Sequence, residues 1–271
     1  MNNPYLEQYR QDTLRKAQLR QLEILKTIAA ICESNDIPYW LDAGTLLGAV
    51  RHDGFIPWDD DIDVSMRAED LERFIQVAPK LLPEGMVLQT PTSDPTIKGE
   101  AYKVRLLNSF YVEGADDNYA TYQKGLFVDL FPFVNYPSHL QGLTRKVARG
   151  ICIAYNHLHS PHYFSLRTMG ESLYFGCKLS ICRLLWYTLQ PLARSGKHTC
   201  SRPIYNWHGT IYTTASIFPL STITFEGINF RAPGNPNAYL KAIYRNYMQL
   251  PPEDKRMIHS IFMMPELIKK D

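Results

Sequence analysis

The sequence predicts a mixed helix-and-strand chain of the α+β or α/β class, and three observations predict it. Near the N-terminus apolar residues recur at intervals of three and four, the period of a helix. Further along they alternate with polar ones, the period of a half-buried strand. The two patterns then follow one another along the chain, as they do in a mixed core. With 271 residues, 45% of them hydrophobic, there is material for one core and an insertion.

The first element is a helix, because Leu14, Leu22, Leu25, Ile28 and Cys32 share one helical face. Pro38 has no amide proton and biases Ile37 toward extended backbone, so a short strand follows over Tyr39–Asp42. Gly44 and Thr45 open the apolar-periodic TLLGAVRH, making the order strand, tight turn, helix. Gly54 and Pro57 break the chain before WDDDIDVSM, where Ile62, Val64 and Met66 alternate with Asp61, Asp63 and Ser65. A helix over Glu69–Leu82 stops at Pro83 and Gly85. Strands are predicted over Met86–Gln89, Tyr102–Leu106 and Phe127–Leu130, the last carrying Asp129. The tail holds a hairpin around FEGINFRAP, a helix over Asn237–Tyr247 and a turn over Glu253–Arg256. The expected division is a core over residues 1–140, a helical insertion over 141–205, and a hairpin and helices over 206–271 that complete the core.

Charge is nearly balanced at +2, which excludes the strongly basic footprint of a nucleic-acid-binding domain. The polar N-terminal MNNPYLEQYRQDTLRKAQLR shows no secretory pattern, so the expected address is cytoplasmic. Five cysteines, an odd number without CxxC spacing, fit reduced and packed thiols better than disulfides or a zinc site built with His157, His159, His162 and His198. The insertion is locally basic: Arg145, Lys146, Arg149, Arg167, Lys178, Arg183, Arg194, Lys197 and Arg202 face a single acid, Glu171. Two readings stand for it, peripheral docking on an anionic membrane and helices that cap the core. Lys178 and Arg183 inside its apolar run argue against a spanning helix.

The run DDDID is the most informative feature. At about 4 Å, repulsion between neighbouring charges is of order 1 kcal/mol per pair even when screened by water. On a strand, Asp59, Asp61 and Asp63 project to one face while Asp60 and Ile62 point the other way. Hard carboxylate oxygens on one face suit magnesium or manganese. A merely solvated acidic turn leaves the flanking Trp58, Ile62, Val64 and Met66 unexplained. A helix-loop-helix calcium loop needs glycine at its sixth position, where this chain has Val64. A glycosyltransferase that holds a metal on an Asp-x-Asp pair stays open. Context favours phosphoryl chemistry, since helix-start amides after a Gly-Thr turn bind phosphate and Asp129 offers a third carboxylate.

Three segments, LDAGTLLGAVRHDGFIPWDDDIDVSM, GLFVDLFPF and FEGINFRAPGNPNAYLKAIYRNYMQLPPEDKR, together resemble the LicD family of phosphotransferases, related to the catalytic domain of fukutin-related protein. The resemblance implies a nucleotidyltransferase-type core with a mixed sheet. It implies a phosphate-cradling turn at Gly44 and Thr45, paired carboxylates at Asp61 and Asp63, and a third at Asp129, together holding two divalent ions, Mg2+ or Mn2+. It further implies a CDP-linked donor, phosphocholine as the transferred group, and an acceptor hydroxyl on lipopolysaccharide, teichoic acid or another surface glycan, free or lipid-linked. Around that centre, Lys103 and Arg105, two apart on a strand, could meet donor phosphates, as could Arg51; His52 is a minor candidate base. A choline headgroup would need ring faces. Trp40, Trp58, Tyr102 and Tyr122 are available, without a cage being assignable.

Overall fold

The computed structural model describes residues 4–97, 100–113, 121–160, 163–206 and 209–267, so His162 lies outside the described residues. In chain order its elements are α1 (Pro4–Ser34), β1 (Trp40–Leu41), α2 (Ala43–His52), β2 (Asp63–Arg67), α3 (Ala68–Leu81), β3 (Met86–Gln89), β4 (Lys103–Leu106), β5 (Phe110–Glu113), β6 (Leu126–Asn135), α4 (Gln141–His159), α5 (Leu166–Leu189), β7 (His198–Ser201), β8 (Tyr212–Thr213), α6 (Thr214–Ile217), β9 (Ser221–Phe225), β10 (Ile228–Ala232), α7 (Pro236–Tyr244) and β11 (Ser260–Met264). Helices and strands interleave, and the fold is α+β. The chain divides into two compact units, residues 1–130, 222–232 and 246–271 in the first, 131–221 and 233–245 in the second. The division falls inside β6 at Leu130, ten residues before the expected boundary at 140, and part of the expected C-terminal completion, 206–221 and 233–245, belongs to the second unit.

In the first unit the strands run in the order β1, β2, β6, β4, β3. Strand β1 lies antiparallel to β2, with Trp40 opposite Ser65 and Leu41 opposite Val64. Strand β4 lies antiparallel to β6, which sets Lys103 opposite Asp129. Because β2 sits between two strands and is covered on both faces, Val64, Ser65 and Met66 are all buried, not alternately as expected. The strand begins only at Asp63; Asp59 to Ile62 are irregular backbone, so the expected strand-face arrangement of Asp59, Asp61 and Asp63 does not form.

Helix α1 begins ten residues before its first predicted apolar contact, Leu14, and buries the predicted face. Its Leu14 and Ala17 join Tyr111, Leu126, Phe127 and Met263 in one apolar cluster. Two glutamines on the same face, Gln18 and Gln21, are buried and serve the acidic loop. Gln18 Nε2 donates to the Asp59 carbonyl at 2.8 Å, and Gln21 Nε2 to the Asp60 carbonyl at 2.8 Å. Irregular buried backbone leaves carbonyls without strand partners, and these amides satisfy them. The predicted hairpin is β9 and β10, turned at Glu226 and Gly227, whose φ values of 53° and 74° suit a tight two-residue loop.

In the second unit the C-terminal half of β6 pairs antiparallel with β7, and β7 with β8. Helices α4 and α5 pack around Val147, Ile151, Tyr155, Leu179, Trp186 and Leu189. Helix α5 starts with a reciprocal cap, Ser165 and Thr168 each bonding the other's backbone amide.

Candidate active site

The acidic residues converge in the first unit because three pieces of backbone meet there. The Asp129 amide donates to the Ile62 carbonyl at 2.9 Å, bringing β6 against the acidic loop. The Asp42 amide donates to the Asp63 carbonyl at 3.0 Å, bringing in the end of β1. Thr45 then accepts from the Asp63 amide at 2.8 Å through Oγ1, so the first turn of α2 fixes the start of β2. A Cβ at Gly44 would lie 2.8 Å from Asp59 Oδ2, so the glycine leaves that carboxylate in its present position. Gly44 and Thr45 lie in the first turn of α2, which is N-capped by Asp42, whose carboxylate takes the Ala43 amide and the Ser65 hydroxyl.

The electrostatics follow from that convergence. The Asp63 carboxyl is pushed well above the ordinary carboxylate range, by burial first and then by Asp61, Asp129, Asp42 and Asp59. Asp61 is raised likewise by burial, Asp59 and Asp60, with a smaller contribution from Asp129 and partial relief from His259. Asp129 is raised by burial, against the pull of Lys103, whose Nζ lies 2.9 Å from Oδ1. Asp129 is therefore close enough for its charge to raise both Asp61 and Asp63, although the three do not gather their oxygens as tightly as another trio does. Among the described residues, the one set of three ligating groups with atoms within 4.8 Å of each other is Asp59, Asp60 and His259.

Asp60 differs from its neighbours. Fully buried, it accepts from Tyr111 Oη at 2.9 Å, the His259 amide at 3.0 Å and the Ser260 amide at 2.8 Å. Burial alone would raise it, but the hydrogen bonds from His259 and Ser260 outweigh burial and leave it below the ordinary range. His259 in turn is pushed up to about 9, chiefly by its bond to Asp60, and stays 64% exposed at the side chain. No local sequence pattern marked Tyr111 or His259 for this site, since each arrives from a distant stretch of chain, whereas Asp42 lies inside the LDAGT run without having been singled out.

The predicted cations are placed otherwise than expected. Lys103 is buried, paired with Asp129 and Glu113 and seated 3.5 Å from the Phe127 ring centre, so it neutralises a carboxylate and is not open to a donor phosphate. Arg105 is 2% exposed and donates to Gln89 Oε1 and the Gly125 carbonyl; only its field reaches Asp129. Arg51 donates to His52 Nε2 at 3.0 Å and to the Tyr247 carbonyl at 3.1 Å. His52 is depressed by burial and by Arg51. Of the candidate rings, Trp40 is core, whereas half-buried Trp58 has Arg256 4.9 Å from its ring centre and His52 edge-on.

Residues 36–165 match the family model described as LicD/FKTN/FKRP, nucleotidyltransferase domain. Lipopolysaccharide cholinephosphotransferase LicD of Haemophilus influenzae is 28% identical over 92% of this chain and 96% of its own length. Over residues 36–165 the chain is similar to the LicD family. Ribitol 5-phosphate transferase FKRP of Homo sapiens is 41% identical over 49 residues, 18% of this chain and 10% of that protein. Ribitol-5-phosphate transferase FKTN of Mus musculus is 32% identical over 77 residues, 27% of this chain and 17% of that one. The matched segment contains Gly44, Thr45, Asp61, Asp63, Lys103 and Asp129. His259, which completes the tight trio, lies outside it.

Proposed function

We propose that this chain is a phosphotransferase of the LicD kind that moves phosphocholine from a CDP-linked donor to a hydroxyl of a cell-surface glycan precursor in the cytoplasm, releasing CMP. The observation that carries the reading is the convergence of Asp61, Asp63 and Asp129, carboxylates from two separate stretches of chain: the Asp129 amide bonds the Ile62 carbonyl, and the Asp129 charge raises both Asp61 and Asp63. Phosphotransferase names on the family relatives support it.

The donor set fits a divalent ion. Asp61 and Asp63 are half-buried hard-oxygen donors that repel each other, and Lys103 relieves only Asp129. Asp61, Asp63 and Asp129 would hold magnesium or manganese, and such an ion, when bound, stabilises negative charge on the attacking and leaving oxygens of phosphoryl transfer. Thr45 holds the Asp63 backbone in place, and Gln18 and Gln21 hold the loop that carries Asp61. The acceptor oxygen forms a bond to the donor phosphorus, the bond from that phosphorus to the CMP oxygen breaks, and the hydroxyl proton passes to the Asp129 carboxylate, whose raised pKa suits it to take one. Lys103, paired to the same carboxylate, favours its ionised form against the burial that raises it.

The test is a donor screen with product identification. With CDP-choline, CDP-ribitol and CDP-glycerol in the presence of magnesium, one donor raises the melting temperature and yields CMP. Release of pyrophosphate from a nucleoside triphosphate instead would identify a nucleotidyltransferase. Transfer from a sugar nucleotide would identify a glycosyltransferase of the Asp-x-Asp kind. Binding without turnover of any donor would reduce the site to a metal-stabilised module.

A further inference from the structure

Helix α5 is apolar on two opposite faces. One is accounted for: Leu179, Trp186 and Leu189 are buried, with Phe175 and Cys182 packed beside them, in the cluster that includes α4. The other face is bare. Leu166, Met169, Leu173, Ile181, Leu184 and Tyr187 are each between 53 and 87% exposed. At 3.6 residues per turn these six fall within about 60° of a single line along the helix. Gly170, Cys177, Ser180 and Thr188 fill the rest of that stripe, so it carries no charge over its 24-residue length. Tyr163 and Phe164, just before the helix, are more than nine-tenths exposed.

A helix with two opposite apolar faces and only one of them packed leaves the other in need of a cover. No described helix is long and apolar enough to cross a membrane. Charges flank the stripe without entering it: Arg167, Lys178 and Arg183 lie about 100–120° from its centre line. Glu171, the single acid of residues 141–205, is taken by Arg167 at 2.8 Å. On α4, Arg145, Lys146 and Arg149 form no ion pair with a described residue. An uncharged stripe bordered by cations, with tyrosines among its apolar residues, is the pattern of a helix lying flat at a lipid–water interface. A second copy of the same face would bring the same positive border against itself, which disfavours self-association as the cover.

We propose that α5, with Tyr163 and Phe164 leading into it, lies in the interfacial layer of an anionic lipid bilayer, its bare stripe among the acyl chains and its flanking cations at the headgroups. The inference is independent of the reaction assigned to the first unit.

The full chain is centrifuged with vesicles of phosphatidylcholine alone and with one-third phosphatidylglycerol. Binding is expected to the anionic vesicles and to weaken with salt. The variant Leu173→Glu with Leu184→Glu changes only exposed side chains, so its melting curve should match the native one while its partitioning falls at least about tenfold. Replacing Arg145, Lys146 and Arg149 by Gln should lower partitioning by about fivefold per cation removed and flatten the salt dependence. Three results would overturn the proposal: no binding to anionic vesicles, a glutamate variant that binds as well as the native chain, or a native dimer that the glutamate variant converts to a monomer.

Discussion

The two units depart from the usual partition of residues in opposite directions. The first draws carboxylates inward: Asp61, Asp63 and Asp129 are all lifted above their ordinary range by burial first, and Asp61 and Asp63 further by neighbouring aspartates that include Asp129. The second pushes apolar side chains outward, leaving Leu166, Leu173, Leu184 and Tyr187 on α5 more than 60% exposed. Elsewhere both units are ordinary, with cores of Leu, Ile, Val and aromatic residues. The first departure costs folding free energy and the second forgoes the gain of burial; in the two proposals above, a dication would relieve the one and lipid would cover the other. A local violation of the partition rule is thus more informative about function here than any regular element.

The sharpest way to break this comparison is to remove the buried charge. Asp61→Asn or Asp63→Asn should lower turnover by about a thousandfold or more, because the ligands for the catalytic ion are lost. The same variants should stabilise the metal-free chain by about 1–2 kcal/mol, since a repelling charge disappears. Melting curves in a chelator, alongside activity in magnesium, check both. A variant that is inactive and also less stable would show that these carboxylates hold the fold together and were never a functional strain.

Asp60, next in sequence, provides the contrast. Its carboxylate takes three hydrogen bonds from Tyr111, His259 and Ser260, so its charge is already compensated. Asp60→Asn places an amide against those donors and should destabilise the chain by about 3 kcal/mol, in either the presence or the absence of magnesium. Tyr111→Phe, which removes one donor alone, should cost about 1–2 kcal/mol. Denaturant titration separates the two. If Asp60→Asn were as stable as the native chain, the distinction drawn between neighbouring aspartates would fail.

How much of this was legible in the sequence depends on whether the cause was local. Strand β3 matches its expectation from Met86 to Gln89 because Pro83, Gly85 and a short apolar run lie within a few residues of it. The β9–β10 hairpin was legible for the same reason, its Glu-Gly turn being local chemistry. Strands β5 and β11 were not foreseen, since each exists by pairing with the other across about 150 residues of chain. The shared strand face of Lys103 and Arg105 was foreseen, and both do lie near the Phe127 ring. Their partners were not, because the register that sets Lys103 opposite Asp129 is a tertiary fact. Likewise the alternation around Ile62 and Val64 read as a half-buried strand, when placement between β1 and β6 buries both faces.

The smallest expected effect concerns pH, and it tests whether the first unit's strain is electrostatic. A carboxyl whose pKa is higher folded than unfolded holds its proton more tightly in the folded chain, so its contribution is most favourable at low pH. That contribution is lost as pH rises from the ordinary carboxylate value of about 4 through the raised values of Asp61 and Asp63. His259 acts in the same direction higher up: its stabilisation is fully present below about 6.5, the ordinary histidine value, and is lost as pH rises through about 9. Asp60 opposes them, its stabilisation being present above about 4 and lost as pH falls through its lowered value. In chelator, the melting temperature should therefore peak in mild acid and decline by a few degrees toward pH 8, and Asp61→Asn should flatten the decline. Magnesium should act most strongly at the alkaline end, where the carboxylates are ionised and free to bind it. A metal-free melting temperature that rises steadily from pH 5 to 8, unaltered by Asp61→Asn, would mean the buried aspartates carry no net repulsion.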